Sequence, residues 1–520
     1  MSASMYDAAP YESMPFAQTQ PANLAAIAML FGRRPPNVAD ARVLELGCAS
    51  GGNIIPLAAR FPDSQFRGID LSRRHVELGC ERIASLGLKN IDIRIGDLAD
   101  PDVVAGEYDY IICHGVFSWA PPAAQDGILS ICSKRLAPNG VAYVSYNVLP
   151  GWQLRKIIRD IFRFHSGETG AASASPKDRV ARGRWMLEQL ATVSSEATPY
   201  GQLLRREAKQ LSGLSDSYIF GEFLSDENAP CYFHEFLRRA EAAGLEYVTD
   251  TDLHTSLFEN VSPDLHRLIV AMAGPDPRMA EQYYDFFQGR QFRQSVLVKA
   301  GGAIESGRNA DHRRIAHLNF SSDLRLDPAG SKGEAKVLRH QGGRTITTND
   351  PLVAQALDYL GASAPETRNL RQIVDHLHVG GEAERQAAAD RVLASLLRII
   401  VSGLAGMSAT PIALGRASEA RPKAWRVARH DGKTGQPWTT NLKHMPVKLD
   451  SVARALLPLV DGKNDKDALA AHLAALIRDA EFANDVSAHS AADGGFESRV
   501  ELALLQMEKL GLLEPVQGTA

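Results

Sequence analysis

One stretch of this chain limits its fold more than any other: Val43-Leu44-Glu45-Leu46-Gly47-Cys48-Ala49-Ser50-Gly51-Gly52-Asn53. Residues 41–46 read as a buried parallel strand, and residues 53–61 resume with helical spacing after a turn of small residues. A strand that bends sharply into a helix N-terminus presents unpaired backbone N–H groups and the positive end of the helix dipole. Gly47 and Gly51 let the backbone bend and let a ligand come close. The expected setting is a doubly wound α/β sheet with a nucleotide-type site at the end of this strand.

Two readings of the turn compete. Gly47, Ala49 and Gly52 fit a degenerate G-x-G-x-x-G dinucleotide loop, a weak signal alone. Glu45, two positions before the first glycine, changes the balance, because a carboxylate there repels a pyrophosphate and attracts an ammonium group. The pattern acid-x-Gly-x-(Gly/Ala)-x-Gly resembles motif I of class I methyltransferases that use S-adenosylmethionine (SAM). Ala49 departs from that pattern and leaves slightly less room for the ligand. An enzyme of the NAD type is the competing expectation.

Downstream spacing supports the SAM reading. Residues 66–69 form a short apolar strand ending in Asp70-Leu71-Ser72, and Asp70 lies 70 − 51 = 19 positions after Gly51, near the ~20 expected for a ribose-hydroxyl acceptor. Residues 91–95 form a third strand ending in Gly96-Asp97-Leu98, with Asp97 where methyltransferases place the acid that contacts the adenine amino group. A fourth strand, 108–113, opens into His114-Gly115-Val116-Phe117-Ser118-Trp119, and a fifth covers 141–146. One acid at one strand end is usually a solvated loop carboxylate. Three at successive strand ends in one crevice are hard to read that way.

At 520 residues the chain is too long for one core, and two to four domains are expected. The net charge of −4 points to neither nucleic acid nor an anionic membrane. Five scattered cysteines without a C-x-x-C pair suggest reduced thiols and no metal site. With no basic-then-apolar start and no apolar stretch of membrane-spanning length, a soluble cytoplasmic protein is expected.

The phrases Tyr6-Asp7…Pro10-Tyr11-Glu12-Ser13, Leu44 to Asn53, His114 to Trp119, and Ser145-Tyr146-Asn147…Pro150-Gly151-Trp152 together resemble one family. It is the bacterial class I methyltransferases that carry a methyltransferase regulatory domain, among them the rickettsial protein-lysine methyltransferases acting on outer-membrane protein B. The resemblance spans about residues 5–300 and is pattern-level beyond. It implies SAM as cofactor and, in characterised members, a lysine amine as acceptor. The residues expected around SAM are Tyr11, Gln18, Glu45, Gly47, Cys48, Ala49, Ser50, Gly51, Asn53, Asp70, Leu71, Asp97, Leu98 and His114. Those expected to line the acceptor pocket are His114, Phe117, Trp119, Tyr146, Asn147 and Trp152, where aromatic rings desolvate an amine and favour its methylated cation. For Phe117 and Tyr146, core packing is an equal alternative. No Asn-Pro-Pro-Tyr follows the fourth strand, which counts against DNA and glutamine acceptors.

The fold class that follows is a Rossmann-like, seven-stranded class I methyltransferase sheet with a helical insertion, followed by mostly α, winged-helix-like modules. Residues 1–37 are an N-terminal arm, either packed on the core or serving as a lid. The catalytic domain takes 38–165 and 231–300, and 166–230 is a helical cap over the acceptor side. A middle module covers 301–415, a linker 416–449, and a C-terminal module 450–520. The last two modules share a pattern of three amphipathic helices ending in Gly-Leu. Residues 351–413 hold five basic and six acidic side chains, and residues 450–516 hold six and twelve. A DNA-reading unit needs a basic excess, so both are read as packing modules or as docking modules for a protein substrate or for a second copy in a homodimer. Small-molecule methylation and non-catalytic SAM binding stay open as alternatives.

Overall fold

The computed structural model describes residues 13–167, 175–257, 261–301, 310–331, 333–476 and 495–515. After helix α1 (Pro21–Leu30), the chain alternates strand and helix: β1 (Arg42–Leu46), α2 (Ile54–Arg60), β2 (Gln65–Asp70), α3 (Arg73–Leu86), β3 (Ile91–Ile95), β4 (Tyr108–Cys113), α4 (Pro122–Arg135) and β5 (Leu136–Asn147). The strands read as near-continuous apolar runs because helices cover both faces; every residue of β4 is buried.

Seven strands form one sheet in the order β3-β2-β1-β4-β5-β7-β6, closed by β6 (Leu245–Asp250) and β7 (Phe292–Lys299). β1 pairs in parallel with β2 on one side and β4 on the other. Strand order therefore reverses at β1, and a crevice opens beyond its C-terminal end. β7 runs antiparallel to both β5 and β6. Arg293, fully buried on β7, ion-pairs Asp250 at 2.7 Å, Glu281 at 2.8 Å and Asp285 at 2.8 Å. That cluster bolts the helix Pro277–Gln288 to the closing strands and holds the start of β7 beside the crevice.

The cap is a separate body of helices with its own apolar cluster. It comprises α5 (Trp152–Gly167), α6 (Pro176–Val193), α7 (Pro199–Leu211) and a wide helical turn, Phe220–Leu224. Ile158 and Phe162 of α5 belong to this cluster, together with Val180, Leu187, Leu204 and Phe223. The sequence reading gave 152–165 to the catalytic domain; packing puts that helix in the floor of the cap, because its apolar face turns toward α6.

Beyond β7, a small antiparallel sheet joins β8 (Asn319–Ser322) to two short strands, Arg368–Asn369 and Ala405–Ser408, around helices 351–363, 370–376 and 382–401. The stretch expected to be an unstructured linker, 416–449, is instead folded. It holds the helix Arg426–Lys433 and a hairpin of Trp438–Thr440 with Pro446–Lys448. Bridges Lys423 to Asp461 and Ala424 to Leu513 tie it into the last helical module. Its proline and tryptophan content read as loop, but pairing with residues nearly 90 positions away gives it structure. Among the described residues, no helix is long and apolar enough to cross a membrane.

Candidate active site

Glu45 leaves β1 pointing into the crevice and is 4% exposed. Its Oε1 accepts a hydrogen bond from Asn53 Nδ2 at 2.7 Å, while Oε2 is buried without a protein partner. Burial, reinforced by the nearby Asp70 carboxylate and opposed by the Asn53 bond, pushes the Glu45 carboxyl up to about 8. An orphaned carboxylate oxygen in a closed cleft asks for a cationic partner. The turn beyond it approaches its neighbours closely. Gly47 has φ 72° and a Cβ there would lie 2.4 Å from Val116. Ala49 also takes a left-handed φ, 47°, and its N–H donates to Asp70 Oδ2 at 2.8 Å. The departure from glycine at this position is thus absorbed by a bond to the acid at the end of β2.

Asp70 is oriented on its other oxygen by the Ser72 N–H, 2.9 Å away. Exposed Asp97, at the end of β3, accepts from the Ala99 N–H at 2.9 Å. Glu45, Asp70 and Asp97 line one cavity of about 560 Å³ together with Gly47, Cys48, Ala49, Asn53, Leu71 and Leu98. Ser50 and Gly51 shape the turn but do not reach the cavity wall. Tyr11 lies outside the described residues.

The arm enters through Ser13 and Phe16, neither of which is among the residues expected around the cofactor. Ser13 Oγ accepts from the Gly52 N–H at 2.8 Å, and a Cβ at Gly52 would lie 2.0 Å from the Ser13 carbonyl oxygen. Phe16 packs on His114 with ring centroids 3.9 Å apart and the ring planes tilted by 41°. Gln18, expected at the cofactor, is not among the residues that line the cavity. The Tyr143 hydroxyl meets His114 Nδ1 at 2.8 Å. Burial drops the His114 imidazole to about 4, so it is neutral at physiological pH.

At the opposite end the cavity is walled by Trp119, Asn147 and Trp152. The two indoles meet edge to face at 5.9 Å, and Trp152 Nε1 is tethered to Asn228 Oδ1 at 2.8 Å. Asn147 Nδ2 is buried without a partner. Tyr146 and Phe117 are corrections to the expected pocket wall. Both are core residues that pack on Phe236, Tyr146 by stacking at 3.9 Å, and the Tyr146 hydroxyl is spent on Ser295. Strand alternation turns Tyr146 away from the face that Asn147 occupies. The cap adds Arg155, Tyr218, Phe220 and Glu222, and the start of β7 adds Gln291 and Phe292. Desolvation pushes Glu222 up to about 7 against the opposing pull of Arg155 and Arg159. No signal near Glu222 in the sequence marks it, because only tertiary packing of the wide turn brings it to the cavity.

This sheet order, with an orphaned acid at the switch point and further acids at the next two strand ends, defines a class I SAM-dependent methyltransferase. Residues 44–142 match the family described as a methyltransferase domain. Residues 215–299 match a predicted methyltransferase regulatory domain, and residues 420–504 the C-terminal winged helix domain of PKMT. An uncharacterised protein of Rickettsia prowazekii is 31% identical over 474 residues, covering 89% of this chain and 84% of that one. The structure of PKMT2 from Rickettsia typhi in complex with AdoHcy superposes with a TM-score of 0.83 at 26% identity, covering 97% of this chain and all of that one. The chain belongs to this family of bacterial methyltransferases with a regulatory domain and a PKMT-type winged helix, and its cofactor is SAM. The competing NAD reading falls with that assignment. The family match at 215–299 runs from the cap through β6 and β7, so the segment called regulatory supplies two strands of the catalytic sheet.

Proposed function

We propose that this chain is a protein-lysine N-methyltransferase. The observation that carries the proposal is Glu222, a carboxylate held by the cap in the wall of the cofactor cavity, at the end lined by Trp119 and Trp152. A half-buried carboxylate among aromatic rings suits an incoming ammonium. The likeness to PKMT2 of Rickettsia typhi supports the same class.

When bound, SAM supplies a methyl group made electrophilic by its sulfonium. In this reading Glu45 Oε2 holds the ammonium of the methionine end, Asp70 the ribose hydroxyls and Asp97 the adenine amino group. The Ala49 and Ser72 N–H bonds fix the Asp70 carboxylate, and His75 Nδ1 lies 3.5 Å from its Oδ1. Trp119 and Trp152 exclude water from the acceptor. Glu222 attracts the lysine ammonium and takes its proton at a carboxylate oxygen, which leaves a nitrogen lone pair free to attack. Neutral His114, clasped between Phe16 and Tyr143, is a wall and not an acid. Alignment of nucleophile and methyl then supplies on the order of 7–11 kcal/mol of the barrier.

The test uses purified protein, radiolabelled SAM and a bacterial lysate, with protein separated from small molecules before counting. Label recovered on lysine side chains by mass spectrometry is the expected result. Label confined to the small-molecule fraction overturns the lysine assignment in favour of a small-molecule acceptor.

A further inference from the structure

The C-terminal winged-helix module reaches into the back of the cofactor site through one side chain. The tip of its hairpin, residues 441–445, is a tight turn: the Lys443 and Met445 N–H groups both donate to Asn441 Oδ1, at 3.0 and 2.9 Å. His444, at φ 60°, sits in the left-handed region within that turn. Only 3% of it is exposed, and its Nε2 lies 2.8 Å from Asn53 Oδ1. Asn53 is the residue whose Nδ2 holds Glu45.

The hydrogens along this chain follow from the donors that have no choice. The Phe16 backbone N–H, which can only donate, reaches the same Asn53 oxygen at 2.9 Å. That atom is therefore the carbonyl oxygen, and His444 must present Nε2–H to it. His444 is buried beside Arg60, and both effects keep its ring neutral, with its titration lowered to about 3. The Asn53 amide cannot rotate without losing both donors, while the Thr19 hydroxyl, 3.2 Å from its oxygen and 3.0 Å from its nitrogen, can bond either end. Its NH₂ therefore stays on Glu45 Oε1, and Glu45 Oε2 stays free for a ligand.

The hairpin tip is anchored for this purpose on the catalytic domain. Arg60 Nη1 donates to the Leu442 carbonyl at 2.6 Å, and Gln20 Nε2 to the Lys443 carbonyl at 3.0 Å. The neighbouring helix 426–433 adds a fork from Arg82 to Asp431 at 2.9 and 3.0 Å.

We infer that His444 is a positioning residue for SAM: the winged-helix module completes the cofactor site by locking Asn53, and through it the Glu45 carboxylate, in the orientation that receives the donor's ammonium. The inference rests on Glu45 as the seat of that ammonium. It assigns the hairpin, a surface available for partners in an isolated module, to the cofactor site of its own chain.

The test is calorimetric titration of the full-length protein with S-adenosylhomocysteine, alongside the melting temperature of the ligand-free protein. His444→Leu removes the donor and is expected to weaken binding on the order of tenfold, the worth of one buried hydrogen bond. His444→Gln, which returns an amide N–H at similar reach, is expected to restore most of the affinity. In an Asn53→Ala background, His444→Leu is expected to add no further loss, since the two act in series. If His444→Leu fails to fold, His444→Asn, which tolerates the left-handed backbone but is too short to reach Asn53, takes its place. Unchanged affinity with only a lower melting temperature overturns the inference, as does a Gln variant as weak as the Leu variant. Glu45→Gln separates the two levels of the claim. If it leaves binding intact, the Glu45 reading fails; if it abolishes binding while His444→Leu does nothing, only the inference fails.

Discussion

The two ends of the cavity are built by different means. The cofactor end is made of strand termini: Glu45, Asp70 and Asp97 leave β1, β2 and β3 in sequence order, and backbone N–H groups hold two of them in place. The acceptor end starts from Trp119, past the end of β4, and Asn147, the last residue of β5, and is completed by side chains from a cap helix, a wide helical turn and the start of the closing strand, which meet only through tertiary packing. A strand-end site tolerates little change because the sheet fixes its geometry. A cap-built site varies by repacking helices, which suits a pocket that selects among acceptors. The contrast predicts that substitutions at one end move cofactor affinity and those at the other move turnover.

The largest effect is expected from Glu45→Gln. Replacing the carboxylate removes a charge-assisted bond in a buried cleft worth about 3 kcal/mol, so S-adenosylhomocysteine affinity should fall by roughly 100-fold in calorimetry. The ligand-free protein should not melt lower, because burial disfavours the charged form until its partner arrives and a neutral amide can still accept the Asn53 bond. A variant that melts much lower while binding normally would make Glu45 a structural acid and erase the contrast.

Next comes Glu222→Gln, with the opposite signature. Cofactor affinity should stay within about twofold, while kcat on a lysine-containing acceptor falls by roughly 30-fold, about 2 kcal/mol for a buried partner of a cation. An equal loss in cofactor affinity would show that the two ends do not divide the work.

The two ends also divide in what the sequence reveals. The Gly47–Gly52 turn and the acids that follow it were legible because each depends on chemistry within a few residues of a strand end, and spacing along the chain preserves that. The same locality misled the reading at Tyr146, where position beside Asn147 suggested a shared wall but strand alternation puts it in the core. Glu222 and His444 were invisible for the converse reason. His444 acts on a residue 391 positions away, and no local pattern encodes such a contact. The linker expected at 416–449 failed in the same way, since its order comes from pairing with residues around 461 and 513.

A smaller effect is expected from pH. The folded Glu45 carboxyl titrates at about 8, above its ordinary value. Its contribution to the stability of the ligand-free protein is therefore fully present below the ordinary carboxylate range and is lost as pH rises toward 8. Ligand binding needs the ionised form, so it has the reverse dependence. Affinity for S-adenosylhomocysteine should rise roughly fivefold between pH 7 and pH 8, with proton release measurable by calorimetry in buffers of different ionisation enthalpy. Glu222 should leave this profile unchanged, and Glu45→Gln should flatten it. A steep profile surviving in Glu45→Gln would move the titrating group elsewhere in the site.

The smallest effect tests the boundary between the two ends, where the arm lies across the glycine turn. At Gly52 a methyl group would sit 2.0 Å from the Ser13 carbonyl oxygen, a backbone atom that cannot yield without moving the arm. Gly52→Ala should therefore lift residues 13–16, free the Phe16 N–H from Asn53 and part the Phe16 ring from His114. If the arm is a lid, S-adenosylhomocysteine should dissociate several-fold faster in stopped-flow measurements, a loss of about 1 kcal/mol, and protease should cut the arm sooner. If the arm only packs on the core, the melting temperature should fall and the dissociation rate should not change. A faster rate with an unmoved acceptor KM would place the arm wholly on the cofactor side, leaving the cap alone to choose the acceptor.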